Sequence, residues 1–313
     1  GSLGNKGIEA NLNVRIFAEQ KAFQWTMNVN ASKVTSKVLK LPENGVLGNR
    51  QGGLEVWDTQ VGAYVWKAGT SAGSTGSVPT SFIEGGRIGD MYAYKQIGIY
   101  ATDAEAALAP YDTGANTDFG STTARTKFGG DVNWADIDGN NIIDSRDQVY
   151  MGNFYPTWTG GFSNYFNYKG FSLAIRTDFA TGHTIYNYAK VFADGQLQGD
   201  AMPTKDFIEK SWKKQGDITN TPRYVHQINV NISRNSIYYE KGDFLALREV
   251  SLGYTLPSKL LKKIKMSSIR FNLTGSNLYY FTAYKGQSPE EGGVDNGRYP
   301  IPRTFTLGTN ISF

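Results

Sequence analysis

The sequence predicts an all-β fold, an antiparallel up-and-down meander whose strands have one apolar and one small-polar face. Three observations predict it. Seven stretches alternate apolar and polar residues, and successive side chains of a strand point to opposite faces. The links between these stretches run short, long, short, long, short, long. The composition, with 36 Gly, 13% aromatic and 19% charged residues, suits strands joined by wet loops better than helices.

The first stretch sets Ile8, Ala10, Leu12, Val14 and Ile16 against Glu9, Asn11, Asn13 and Arg15. After the link Glu19-Gln20-Lys21, Phe23, Trp25, Met27, Val29 and Ala31 oppose Gln24, Thr26, Asn28, Asn30 and Ser32, which reads as a hairpin. Residues 33–157 lose the alternation. They contain a Gly/Ser/Thr tract at 69–80 and one strand-like run, Met91 to Tyr100. A segment of this length exceeds an ordinary loop, so local structure of its own is expected. Alternation returns over Trp158 to Tyr168, turns at Lys169-Gly170, and continues through Phe171, Leu173, Ile175, Thr177 and Phe179. A second long stretch spans 181–241, with short helices expected at Ile185 to Phe192 and Lys205 to Lys213. Two further strands, Asp243 to Leu256 and Ser267 to Phe281, are joined by 257–265. A third loop, 282–301, leads into the last strand, where Phe305, Leu307, Ile311 and Phe313 share a face.

Short turns at one end and long loops at the other, with an apolar outer and a polar inner face, is the pattern of a transmembrane β-barrel. A soluble β-sandwich rarely keeps its long loops at one end or lines every second face with Arg, Asn, Thr and Ser. No apolar run approaches the length of a membrane-crossing helix, which leaves a barrel open because alternating strands average out in hydropathy. Single-chain bacterial barrels have an even number of strands. Seven strands are therefore expected to be completed by strands on another segment or chain. A downward-running terminal strand puts the links 19–21, 169–170 and 257–265 in the periplasm and the three long loops outside.

The small net charge of +4, with no basic stripe, argues against nucleic-acid binding. The absence of cysteine removes thiolate chemistry and disulfides. His183 and His226 are isolated and no nucleophile motif is present, so no enzyme activity and no organic cofactor are expected.

One motif points to a metal. Numbering from Asp136, oxygen side chains fall at positions one, three, five, nine and twelve: Asp136, Asp138, Asn140, Asp144 and Asp147. Ile142, at position seven, would offer its backbone carbonyl, and Asn141 stands where glycine usually makes the sharp turn. This EF-hand-like spacing over 136–147 predicts a structural Ca2+ that orders the loop. An Asx-rich turn without metal is the alternative. Asp147 in place of the usual bidentate Glu shortens the last ligand's reach.

Several motifs together carry a family resemblance: Asn5-Lys6-Gly7-Ile8-Glu9, the run Gly89 to Tyr100 with Tyr92-Ala93-Tyr94-Lys95 inside it, the acidic run at 130–147, Tyr168-Lys169-Gly170-Phe171, Leu245 to Tyr254, and Tyr299 to Phe305. In this order, over nearly the whole chain, they resemble the C-terminal part of SusC/RagA-type TonB-linked outer-membrane transporters. The resemblance implies the last seven strands of a roughly 22-stranded plugged barrel in the Gram-negative outer membrane. The plug and the TonB box are expected outside this chain. It implies energy-coupled import of oligomeric nutrients, glycans or peptides. The implied partners are a SusD-like lipoprotein at the extracellular mouth, TonB, the remaining barrel and plug, and outer-membrane lipid.

Within that frame, Arg15, Arg176, Asp178, Glu249, Arg270 and Asn272 are candidates to line the lumen. Trp57, Tyr64, Trp66, Trp134 and Tyr155 are candidate substrate platforms, since aromatic faces pack on apolar ring C–H groups; loop packing is the plainer role. Trp158, Tyr168, Tyr254, Tyr279, Tyr280 and Phe281 suit an interfacial aromatic girdle. The terminal Phe313 resembles the assembly signal of barrel clients. Two alternatives remain at this point, a calcium-ordered glycan-binding or adhesion β-domain and a passive porin.

Overall fold

The computed structural model describes residues 1–17, 20–43, 53–58, 63–68, 84–112, 127–143, 147–194, 202–224, 235–262, 265–290 and 292–313, of which 53–58 and 63–68 are described as backbone. Seven long strands form one antiparallel sheet: β1 Ser2–Arg15, β2 Phe23–Lys40, β3 Trp158–Tyr168, β4 Phe171–Thr181, β5 Phe244–Thr255, β6 Ser268–Thr282 and β7 Thr304–Ser312. Each strand pairs with its neighbours in sequence, so the sheet is a pure meander.

The register carries each face across the whole sheet. Trp25, Phe166, Leu173, Leu252, Leu273 and Leu307 lie opposite one another in turn from β2 to β7. Gln24, Asn167, Ser172, Gly253, Asn272 and Gly308 form the neighbouring row on the other face. A register slip of one residue would turn every leucine of the first row to the polar side. The first row remains accessible, with Leu252 47%, Leu273 49% and Leu307 77% exposed, as expected of a surface whose solvent is lipid.

At the short-turn end, Lys169 and Gly170 have φ of 45° and 87°. Two consecutive positive φ values define the turn whose twist matches the flanking strands of a two-residue hairpin. The other short links are 16–22 and 256–267, the latter holding the helical turn Ser258–Leu261. The long links, 41–157, 182–243 and 283–303, all leave the opposite end.

β2 outruns the expected strand by eight residues, to Lys40 rather than Ser32. The alternation in fact persists but inverts. Up to Ala31 the outward residues are apolar; beyond it Lys33, Thr35 and Lys37 occupy that face, and Val34 and Val38 turn inward. Val38 is 1% exposed and exchanges backbone hydrogen bonds with Gly85 and Gly86. The inversion marks where the strand leaves the apolar band and its inward face meets folded loop at Gly85 and Gly86. β1 likewise begins at Ser2 rather than Ile8.

The loops fold into a body of their own. Met91 to Tyr100 is two strands, Asp90–Tyr94 and Gln96–Ile99, broken at Lys95, which pair with Gln148–Asn153 and Val132–Trp134. Thr184–Asn187 is a strand where a helix is predicted from Ile185, and the helix covers Tyr188–Ala193, with the Asn187 side chain accepting from the Lys190 N–H. The second predicted helix stops at Lys210 rather than Lys213. Thr184–Asn187 pairs with Tyr239–Lys241 and with Val294–Asp295, so the second and third loops share a small sheet. The principal buried cluster, Met91, Ala93, Tyr186, Val191, Phe207, Tyr238 and Tyr239, lies wholly within the loops. The Gly/Ser/Thr tract at 69–80 lies outside the described residues.

Candidate functional site

Two places concentrate polar chemistry: the acidic loop, and a pocket on the polar face where the wall meets the loops.

In the acidic loop, Asp136 does the turning. Its two carboxylate oxygens accept from the N–H groups of Gly139 and Asn141, both at 2.8 Å. Asp138 Oδ1 accepts from Asn140 N at 3.1 Å, and Asn140 Oδ1 from Ile142 N at 2.7 Å. Asn141 has φ of 61°, the left-handed conformation the sixth position requires, and asparagine adopts it at low cost. Ile142–Ile143 then pairs with Tyr111–Asp112, tying the loop to the loop body. Asp147 is fully buried and accepts from Ile137 N at 2.8 Å. One ligand atom from each of Asp136, Asp138 and Asp147 falls within 4.8 Å of the others. Three carboxylates at that spacing repel one another, and a hard cation with oxygen ligands relieves the repulsion. The set therefore fits Ca2+, with the Asn140 side chain and the Ile142 carbonyl at the spacing for further ligands. Asp144 lies outside the described residues.

Beside it, the buried Lys127 Nζ meets Asp112 at 2.7 Å and lies 5.9 Å from the centre of the Trp134 ring. Arg223, from the second loop, grips Asp131 of the first through two bonds of 2.7 and 3.1 Å. Tyr100, whose hydroxyl donates to Asn133 Oδ1 at 3.0 Å, has its pKa pushed up to about 12 by burial and then by the charges of Asp112 and Asp131. Asp103 is held below the usual carboxylate range, chiefly by the backbone N–H of Gly129.

On the wall, the expected lumen residues share the polar face. Arg176 reaches Glu249 at 3.8 Å, and Arg270 donates to Asn272 and Ser172 at 2.8 and 2.7 Å. The residue missed from sequence is Arg248. β5 carries one extra residue against β4: Arg176 pairs with Glu249 but Thr177 with Leu247. A bulge of this kind re-aims a side chain, and here it sends Arg248 to the same face as Glu249. The sequence does carry the signal, since the apolar positions shift from Leu245 and Leu247 to Val250, Leu252 and Tyr254. Arg248 makes a bidentate pair with Asp178, donates to the Tyr280 hydroxyl at 2.8 Å, and bonds to Glu290 of the third loop. Tyr280 therefore faces inward and is removed from the girdle, whereas Tyr279 and Phe281 remain 51% and 57% exposed on the outer face.

The remaining aromatic candidates separate. Trp134 is 2% exposed and packed among Tyr94, Val132 and Ile143, so its faces are taken by protein. Tyr155 is half exposed beside Phe154. Trp57 and Tyr64 stand opposite each other in a two-stranded ladder that also contains Trp66; their side chains lie outside the described residues. Phe313 follows the end of β7 and is 88% exposed. Near the short turns the outer face carries an aromatic band of Phe23, Trp25, Phe166, Tyr168, Phe171 and Tyr254, with Trp25 and Phe166 stacked at 5.5 Å and Phe171 against Tyr254 at 4.3 Å.

No family model matches the chain. Over its whole length it is 30% identical to TonB-dependent receptor P3 and 28% identical to TonB-dependent receptor P39, both of Formosa agariphila. It spans 29% and 30% of the length of those relatives. Among solved structures, the RagAB peptide transporter matches 99% of the chain at a TM-score of 0.69 and 19% identity. The RagAB peptide importer in its closed-closed state matches all of it at 0.67 and 20% identity. In each case the chain covers about 30% of the solved chain's length, and the likeness is one of fold. The relatives are receptors and transporters rather than enzymes. With an exposed apolar outer face, a polar inner face and one-sided loops, the chain has the fold of a portion of the RagA-type β-barrel and is similar, over its whole length, to part of the TonB-dependent receptors.

Proposed function

We propose that this chain is part of the barrel of an outer-membrane transporter that imports oligomeric nutrients, oligosaccharides or peptides, with energy supplied through TonB. The observation that carries this reading is the register itself, which below the inversion of β2 aligns an apolar, accessible face and a polar face across the sheet. The naming of the relatives as TonB-dependent receptors supports the energy source, and the two-component RagAB structures support a SusD-like lipoprotein docking on the loop end. TonB would act through a part of the protein outside this chain. The test is to delete the gene and compare growth on oligomeric and monomeric forms of one nutrient, with the protein located by fractionation. Loss of growth on the oligomer alone, with heat-modifiable protein in the outer membrane, is expected. Recovery of the full-length protein as a soluble, detergent-independent species would overturn the reading.

We further propose that the loop 136–147 holds Ca2+ in a structural role. The converging carboxylates of Asp136, Asp138 and Asp147 support this. Calcium is expected to raise the melting temperature of the loop body and to protect 130–150 from proteolysis, and Asp136→Ala to abolish both effects. Titration without heat or melting shift would refute it.

A further inference from the structure

We infer that the pocket where the third loop closes against the polar face of the wall is a binding site for a primary ammonium group carried on an apolar segment. This rests on reading the chain as the wall of an import barrel. The cavity, of about 490 Å3, opens where β2 to β5 meet the loops and is covered by Pro289, Glu290 and Gly292.

Its charge balance comes first. One cation, Arg248, and two carboxylates, Asp178 and Glu290, line it among the described residues. Arg248 is already committed: its Nε and one Nη hold both oxygens of Asp178, and its Nη groups also reach the Tyr280 hydroxyl and Glu290. An incoming carboxylate or phosphate would have to displace one of these internal anions. The unspent valences are of the opposite kind. Glu290 is held through Oε1, by Arg248 and by the Tyr280 hydroxyl at 2.8 Å, and its second oxygen has no hydrogen bond among the described residues. His183 is 5% exposed and lines the same cavity. Its Nε2 lies 3.1 Å from the Pro289 carbonyl, so that nitrogen carries the proton and Nδ1 presents a lone pair. That Nδ1 has no hydrogen-bond partner among the described residues. A buried acceptor left unmatched is destabilising until a donor reaches it.

The fold holds this arrangement in place. A Cβ on Gly242 would come within 2.3 Å of His183 Nε2, so glycine there lets the imidazole seat against the chain. The β5 bulge delivers Arg248, and the pairing of Val294–Asp295 with Tyr186–Asn187 anchors the covering segment. Phe154, Pro156, Phe244 and Pro289 give the cavity apolar walls. An ammonium offers three donors and no acceptor. It therefore matches a pocket of net negative charge whose spare groups are acceptors, and the walls suit the aliphatic chain next to it. The amino terminus of a short peptide and a lysine side chain both supply this chemistry.

The experiment is calorimetric titration of the intact full-length transporter in detergent with four probes: tetra-alanine, N-acetyl-tetra-alanine, the acetylated peptide with one lysine, and maltotetraose. Free tetra-alanine is expected to bind roughly tenfold or more tighter than its acetylated form, the loss of one charge-assisted contact. Recovery of affinity by the lysine peptide assigns the site to any ammonium, and no recovery assigns it to the amino terminus; both support the proposal. Glu290→Gln should erase the preference. Asn30→Asp, at the rim, should sharpen it without requiring any existing contact to break. Equal binding of free and acetylated peptides, tighter binding of maltotetraose, no binding of tetra-alanine at millimolar concentration, or indifference to both variants would overturn it. Growth on the oligomeric nutrient that persists alongside such a result would leave the import reading standing and remove the ammonium site alone.

Discussion

The wall and the loop body bury apolar residues in opposite ways. In the loops, Met91, Ala93, Ile143, Val132 and Tyr238 are each 0–1% exposed and enclosed by protein. In the wall, Leu12, Leu252, Leu273 and Leu307 are 47–77% exposed. A water-soluble sheet would cover that face with a second layer, whereas here no described residue covers it, the pattern of a barrel wall. The loop body thus has an enclosed core of its own, and a further cluster, Ala180, Phe244 and Ala246 with Tyr280, lies within the wall strands β4 to β6 at their loop end. The same residue types follow different rules a few residues apart, as the inversion of β2 near Ser32 illustrates.

This contrast can be broken or sharpened by substitution. The largest effect is expected from Met91→Ala, which opens a cavity in the loop core at a cost of about 2–5 kcal/mol. Hydrogen exchange should then rise in the Asp90–Tyr94, Thr184–Asn187 and Tyr239–Lys241 strands while the wall stays protected. Equal loosening of the wall would mean that the two regions fold as one unit. Next comes Leu273→Arg on the outer face, expected to cost about 2–4 kcal/mol if the site lies near the bilayer midplane. Reduced heat-modifiable protein in the outer membrane would register it, with Ile218→Arg, at a loop position 96% exposed, as the neutral control. If both variants assemble normally, the outer face does not meet lipid. A smaller effect belongs to pH. An unfolded Tyr100 ionises near its ordinary value of 10.0, while the folded phenol keeps its proton up to about 12. The stability that it contributes is therefore complete below pH 10 and lost between 10 and about 12 as the pH rises. Tyrosine absorbance should show a late-titrating phenol that Tyr100→Phe removes.

The wall was legible because a membrane strand repeats one simple rule every two residues and short turns announce themselves. Lys169-Gly170 and the alternations around it fixed a hairpin before any coordinates. Apart from the strand-like run Met91 to Tyr100, the loop body was not legible, since a strand such as Thr184–Asn187 pairs with partners far along the chain and is buried on both sides, which erases alternation. Thr184–Asn187, fully buried in the three-stranded loop sheet, reads locally like the start of a helix. The convergence of Asp136, Asp138 and Asp147 was legible in the acidic spacing at 136–147, because these carboxylates are close in sequence. The luminal pocket was not: Asn30, Asp178, His183, Arg248 and Glu290 come from five separate stretches.

The sequence by itself determined the number of wall strands, their order, which face is apolar, and the turn of the acidic loop, all set by local periodicity and local hydrogen bonding. Tertiary structure alone decided that Arg248 turns inward at a bulge, that Tyr280 faces the lumen beside it, that Trp134 serves a core, and that the third loop closes on His183. Each of these depends on which distant segment supplies the partner, and free energies of pairing between remote residues leave no periodic trace in the chain.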